Sequence, residues 1–212
     1  MTSIAAYLRT RASTRAVGIA LIVVIAFILA FRFYLVPAYQ AVSGGFVPFD
    51  MQFPLGRTAM VIQMGAFGPR TLLAYLRFGI ADMLFSPALA AATMLLWAWL
   101  INQAAVRQLS QWFAEGLWVA ALFPMICDLG ENTLFMRIVF SDRFLPDAMD
   151  TAILIHRAKS VMTSLTSAIT VALAVGALLG WIRRRTGAGQ DAGQGAGQRM
   201  GQRMGDDGAK LP

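Results

Sequence analysis

Cysteine and histidine occur once each in the 212-residue chain, as Cys127 and His156, and charged residues make up only 14% of it. A single cysteine forms no intramolecular disulfide, and this pair excludes the repeated Cys/His spacings of structural zinc and of haem attachment. No Gly-rich loop ending in Lys-Ser or Lys-Thr occurs, nor any His-Glu-x-x-His or Gly-x-Ser-x-Gly, so nucleotide hydrolysis and the familiar hydrolase chemistries have no support. No cofactor is implied. Lysine is scarce too, with Lys159 and Lys210 set against sixteen arginines. That bias, with the Ala and Gly richness, points to a bacterial chain from a GC-rich genome.

Apolar residues fill the space: 58% of the chain is hydrophobic and its mean hydropathy is +0.61, too apolar for a soluble fold of this length. Stretches at about 16–36, 80–101, 117–139 and 161–181 are each long enough as helices to cross roughly 30 Å of hydrocarbon. The fold class expected is all-α: a polytopic four-helix transmembrane bundle over residues 1–185, followed by a separate tail. The first stretch has no polar side chain at its centre and reads as a lipid-facing anchor; as a cleavable signal it would exceed the usual length.

The net charge of +7 fits topology better than nucleic acid. Arg9, Arg11 and Arg15 precede the first span and Arg183, Arg184 and Arg185 follow the last, which predicts both termini in the cytoplasm of a bacterial plasma (inner) membrane. Trp97, Trp99, Trp112, Trp118 and Trp181 fall near the expected cytoplasmic ends, as interfacial aromatics do.

Two segments outside the spans have their own character. In the first outer loop, residues 56–66 and 70–78 show helical spacing around Gly68-Pro69, which predicts a short interfacial helix and then a helix running straight into span two. The former is either a lid over an outward-opening cavity or a plain cap. Residues 186–212 form degenerate Gly/Gln-rich four-residue repeats with nothing to bury, hence a disordered tail.

The informative residues are polar ones at membrane depth. Asp128, Glu131 and Asn132 interrupt span three at i, i+3 and i+4, so they share one helical face. A carboxylate near the bilayer centre costs on the order of 2.5–3.5 kcal/mol on insertion scales, which makes lipid exposure untenable. Pro124, one turn earlier, is placed to kink that helix. Asp82, Ser86, Ala90 and Thr93 form a matching polar face in span two, beside Pro87, and Lys159, Thr163, Thr166 and Thr170 form one in span four. Ser160, Ser164, Ala168, Ala172, Gly176 and Gly180 make a small-residue ridge suited to close packing.

Asp82, Asp128, Glu131, Asn132 and Lys159 are therefore the candidate ligand-binding set, with Lys159 as the counter-ion. Two acids on one face do not both ionise readily unless Lys159 or a bound cation compensates. Each has a plainer reading: interhelical glue for the span-three cluster, a helix-end charge for Asp82, a snorkelling side chain for Lys159. His156 reads as a loop residue. A metal ion is not expected, because the acids lack a nitrogen or sulfur partner.

On Gly68, Arg70, Tyr75, Asp82 and Pro87, then Asp128, Glu131 and Asn132, the chain resembles a family of small uncharacterised bacterial four-span membrane proteins with Asp-x-x-Glu-Asn in the third span. The likeness covers about residues 50–180 and implies the four-span fold without an activity. A weaker likeness, of architecture alone, is to the EXPERA superfamily of sterol-isomerase-like proteins, whose acids line a lipid-accessible cavity.

The function expected is binding of a lipid or a cationic amphiphile at an acidic intramembrane cavity, with membrane lipids or a hydrophobic or cationic small molecule as partners and no nucleic acid. The alternatives are an intramembrane acid–base enzyme, with Asp128 or Glu131 as the catalytic candidate, and a structural subunit.

Overall fold

The computed structural model describes residues 3–104, 107–141 and 143–206. Its elements are helices throughout: α1 (Ile4–Arg11), α2 (Thr14–Ser43), α3 (Arg57–Gly65), α4 (Pro69–Ala104), α5 (Arg107–Glu115), α6 (Leu117–Val139) and α7 (Pro146–Asp206). Four of them, α2, α4, α6 and α7, are long and apolar enough to cross a membrane. The chain is a multi-pass membrane protein.

Three of these spans extend further than the hydropathy limits predict. Helix α2 reaches Ser43 past a π-helical turn at Phe31–Leu35. The cause is Pro37, which lacks the amide that would bond one turn back, so the ladder widens to i→i+5. Gly44, at φ 78°, ends the helix in the left-handed conformation that a Cβ disfavours. Helix α4 begins at Pro69, where the first helical position tolerates proline because its missing amide would be unpaired anyway. Helix α7 likewise starts at Pro146, with Asp147 in its first turn. Residues 146–160 are thus helix, where the sequence predicts loop.

Helices α4, α6 and α7 pack on one another, while α2 packs chiefly against α4. Most of α2 stays outside: Ile22, Ile25 and Phe33 are exposed, as side chains facing lipid should be. Helix α3 and the loop before it cover one end of the bundle, here the capped end; α1 and α5 lie at the other, the terminal end.

Each end has its own apolar core. At the capped end Tyr39, Phe49, Met60, Tyr75, Phe135 and Met149 are buried together. At the terminal end Trp97, Ile101, Phe113, Ala121 and Leu173 do the same. Trp97 is therefore a core residue rather than an interfacial one, its indole N–H donating to Thr170 Oγ1 at 2.7 Å. Between these two cores lies the polar middle of the bundle.

The small-residue ridge of α7 packs only at its terminal end. Ser164, Ala168 and Ala172 are exposed, but a Cβ built on Gly180 would stand 2.5 Å from the Ala104 carbonyl oxygen. Gly180→Ala is expected to cost about 1–3 kcal/mol by forcing the helices apart. Thermal unfolding in detergent reads this, and an unchanged midpoint would show that α4 and α7 do not approach there.

The backbone of α7 stays helical through the repeats to Asp206, where composition predicts a disordered tail from residue 186.

Candidate functional site

Four segments deliver the polar side chains to one place. Span two supplies Asp82 and Ser86, an i, i+4 pair, and span three supplies Asp128, Glu131 and Asn132. Span four supplies His156, Lys159 and Ser160, again at i, i+3 and i+4. The fourth segment is the loop after α2, where a single 3-10 turn, Phe49–Met51, presents Asp50.

Lys159 is the hub. Its Nζ lies 2.8 Å from Asp128 Oδ1 and 2.6 Å from Glu131 Oε2, and it also pairs with Asp50. Asn132 donates from Nδ2 to Asp82 Oδ2 at 2.6 Å, and the Ser86 hydroxyl donates to Asp128. Glu131 has no exposed surface, and its Oε1 lies 2.6 Å from Nδ1 of His156, which is 4% exposed. Ions removed from water this completely persist only where their partners surround them.

The sequence-predicted set of Asp82, Asp128, Glu131, Asn132 and Lys159 thus converges, and Lys159 is paired rather than snorkelling. Two further residues join it. His156, expected in a loop, is buried inside α7 against Glu131, because the helix begins at Pro146, about fifteen residues earlier than the hydropathy of span four indicates. Asp50, which no sequence pattern singles out, reaches Lys159 across the cap.

Cap residues hold Asp50 in place. Gln63 of α3 has no exposed surface; its Nε2 donates to Tyr39 Oη at 2.7 Å and to the Val47 carbonyl at 3.0 Å. Gln52 donates to the same carbonyl at 2.9 Å and contacts Gln63. Outside the spans, Arg57 of α3 pairs with Asp150 of α7, and the hydrogen bond to that carboxylate raises the arginine further above its ordinary pKa.

Below the cap opens a cavity of about 600 Å³ between α4, α6 and α7, within the size range of small-molecule sites. Asp50, Asp82, Asp128, His156 and Lys159 line its head. Leu89, Ala90, Thr93, Met125, Thr163 and Thr166 line the rest, down to Thr170 beside Trp97. The predicted stripes of spans two and four are its walls. Its roof is the loop residues 50–53, with Phe53 exposed, whereas α3 does not line it. The loop, and not α3, stands over the cavity. Pro124, also on the wall, stands in the first turn of the α-helical part of α6, after the 3-10 turn Leu117–Ala121, where proline disturbs least.

Two trios, Asp50 with Glu131 and His156, and Asp50 with Asp82 and Asp128, have ligand atoms within 4.8 Å of one another. His156 supplies the nitrogen donor that the acids alone lack. The ammonium of Lys159 nevertheless contacts Asp50, Asp128 and Glu131, so a divalent ion there would sit against a like charge.

No family profile, curated protein or solved structure matches the chain.

Proposed function

We propose that the protein binds an amphiphile, a lipid or a smaller molecule, by its cationic head group at the Asp50, Asp82 and Asp128 end of the cavity, the apolar tail running along α4, α6 and α7. One observation carries this: four buried or half-buried carboxylates, Asp50, Asp82, Asp128 and Glu131, face the single ammonium of Lys159. Such an excess of negative charge in low dielectric favours an additional cation or additional protons. The long, mostly apolar remainder of the cavity favours an organic cation with a tail over a bare ion.

Native mass spectrometry of the gently extracted protein tests it. A retained amine-bearing amphiphile at one per chain is expected. Retention of nothing, or of anionic lipids alone, would contradict the reading and leave a structural subunit.

A second reading is supported by the Glu131–His156 contact, which has the form of a carboxylate-oriented general base. An acid–base enzyme would return the bound molecule chemically changed, whereas a binder would return it intact.

We further place the protein in a bacterial plasma membrane with both termini in the cytoplasm. Support comes from Arg9, Arg11 and Arg15 at one terminus, Arg183, Arg184 and Arg185 at the other, and the even number of spans. Alkaline phosphatase fused after Arg185 should be inactive. Activity there would invert the topology.

A further inference from the structure

We infer that the cavity selects head groups carrying N–H donors, a primary ammonium above all, over quaternary ammonium, and that His156 reads the difference through Nε2. This rests on the amphiphile binding proposed above and specifies its ligand class.

Glu131 orients the ring. Its Oε2 lies 2.6 Å from Lys159 Nζ and its Oε1 lies 2.6 Å from His156 Nδ1. A carboxylate paired with an ammonium accepts rather than donates, which puts the proton of a singly protonated ring on Nδ1 and leaves a lone pair on Nε2. That Nε2 is buried and has no hydrogen-bond partner among the described residues, a costly condition that a donor from the ligand relieves. The residue lines the cavity beside Asp50 and Lys159.

Acceptors dominate the rest of the cavity head. The ammonium of Lys159 is shared among three carboxylates, the Asn132 amide N–H is given to Asp82, and the Ser86 hydroxyl to Asp128. What remains for a ligand is carboxylate oxygen and the Nε2 lone pair. A primary ammonium brings N–H donors to match them, whereas a trimethylammonium brings none. Quaternary groups are recognised instead by cages of aromatic faces. Besides His156, the aromatic residues lining this cavity are Phe53 and Phe85, too few to enclose such a group.

The test is calorimetric titration of the purified full-length protein, in non-ionic detergent at pH 8, with dodecylammonium, dodecyltrimethylammonium and dodecanoate. Equal tail lengths make micelle partitioning nearly common to the series. Dodecylammonium should bind at least about tenfold more tightly than its trimethyl counterpart, the scale of one charged hydrogen bond. His156→Phe should bring that ratio close to one by weakening the primary amine. His156→Gln keeps a donor for Glu131 and an acceptor for the ligand, so it should recover part of the ratio.

Equal binding of the two cations by the wild-type protein would overturn the inference while leaving the binding proposal standing. Survival of the full ratio in His156→Phe would overturn the role of His156. Binding of neither cation, or of dodecanoate alone, would remove the binding proposal itself. Because the wild-type comparison decides selectivity by itself, a variant that fails to fold does not shield the inference.

Discussion

Lys159→Met should lower the stability of the folded protein by about 3–5 kcal/mol, the cost of leaving buried charge without its partner. Lys159 Nζ is the cation shared by Asp50, Asp128 and Glu131. Methionine fills a similar volume, so lost packing contributes little and the loss reports the electrostatics. Lys159→Arg, which keeps the charge with a different shape, should recover part of it. Thermal unfolding of the three proteins in one detergent gives the comparison. A wild-type midpoint for Lys159→Met would mean that the carboxylates do not depend on this ammonium.

Asp128→Leu is the second substitution with a large expected effect. Asp128 accepts from Lys159 and Ser86 and, at 3.4 Å, more weakly from Asn132. Leucine supplies no acceptor, and buried donors left unsatisfied cost about 1–3 kcal/mol. The loss stays below that of Lys159→Met because Lys159 keeps Asp50 and Glu131, and Asn132 keeps Asp82. Asp128→Asn retains one acceptor oxygen and should fold with a smaller loss, yet remove one of the charges facing the cavity. If Asp128→Leu proves as stable as wild type, the span-three acids are not structural. If both variants hold ligand as the wild type does, Asp128 takes no part in binding.

Span three was the legible part of the site. Asp128, Glu131 and Asn132 at i, i+3 and i+4 reveal their common face without any knowledge of neighbours, and the cost of a charge in hydrocarbon says that the face points inward. Asp82 and Lys159 were legible for the same reason, since stripes of Ser, Thr and Ala continue from them along spans two and four.

Asp50 was not legible, because it meets Lys159 across 109 positions of chain. Only the folding of the cap, through Gln63, Tyr39 and Val47, brings it there. His156 was misread for a local reason. Hydropathy averaging over Arg157 and Lys159 starts span four late, although Pro146 followed by Asp147 has the form of a helix N-terminus. With the helix begun at Pro146, positions 156, 160, 163, 167 and 170 form one continuous face, and all five residues line the cavity.

Binding of an ammonium amphiphile depends on the excess negative charge at the cavity head. Asp82 gives the cleanest test, because the side-chain hydrogen bond it accepts, from Asn132, survives in Asp82→Asn while the charge does not. Dodecylammonium titrated calorimetrically into wild-type protein at pH 8 should bind saturably at one per chain. In Asp82→Asn the affinity should fall about tenfold or more, the effect of one charged hydrogen bond, with the unfolding midpoint little changed. Absence of saturable binding to the wild type, or equal affinity in the two proteins, would contradict the account.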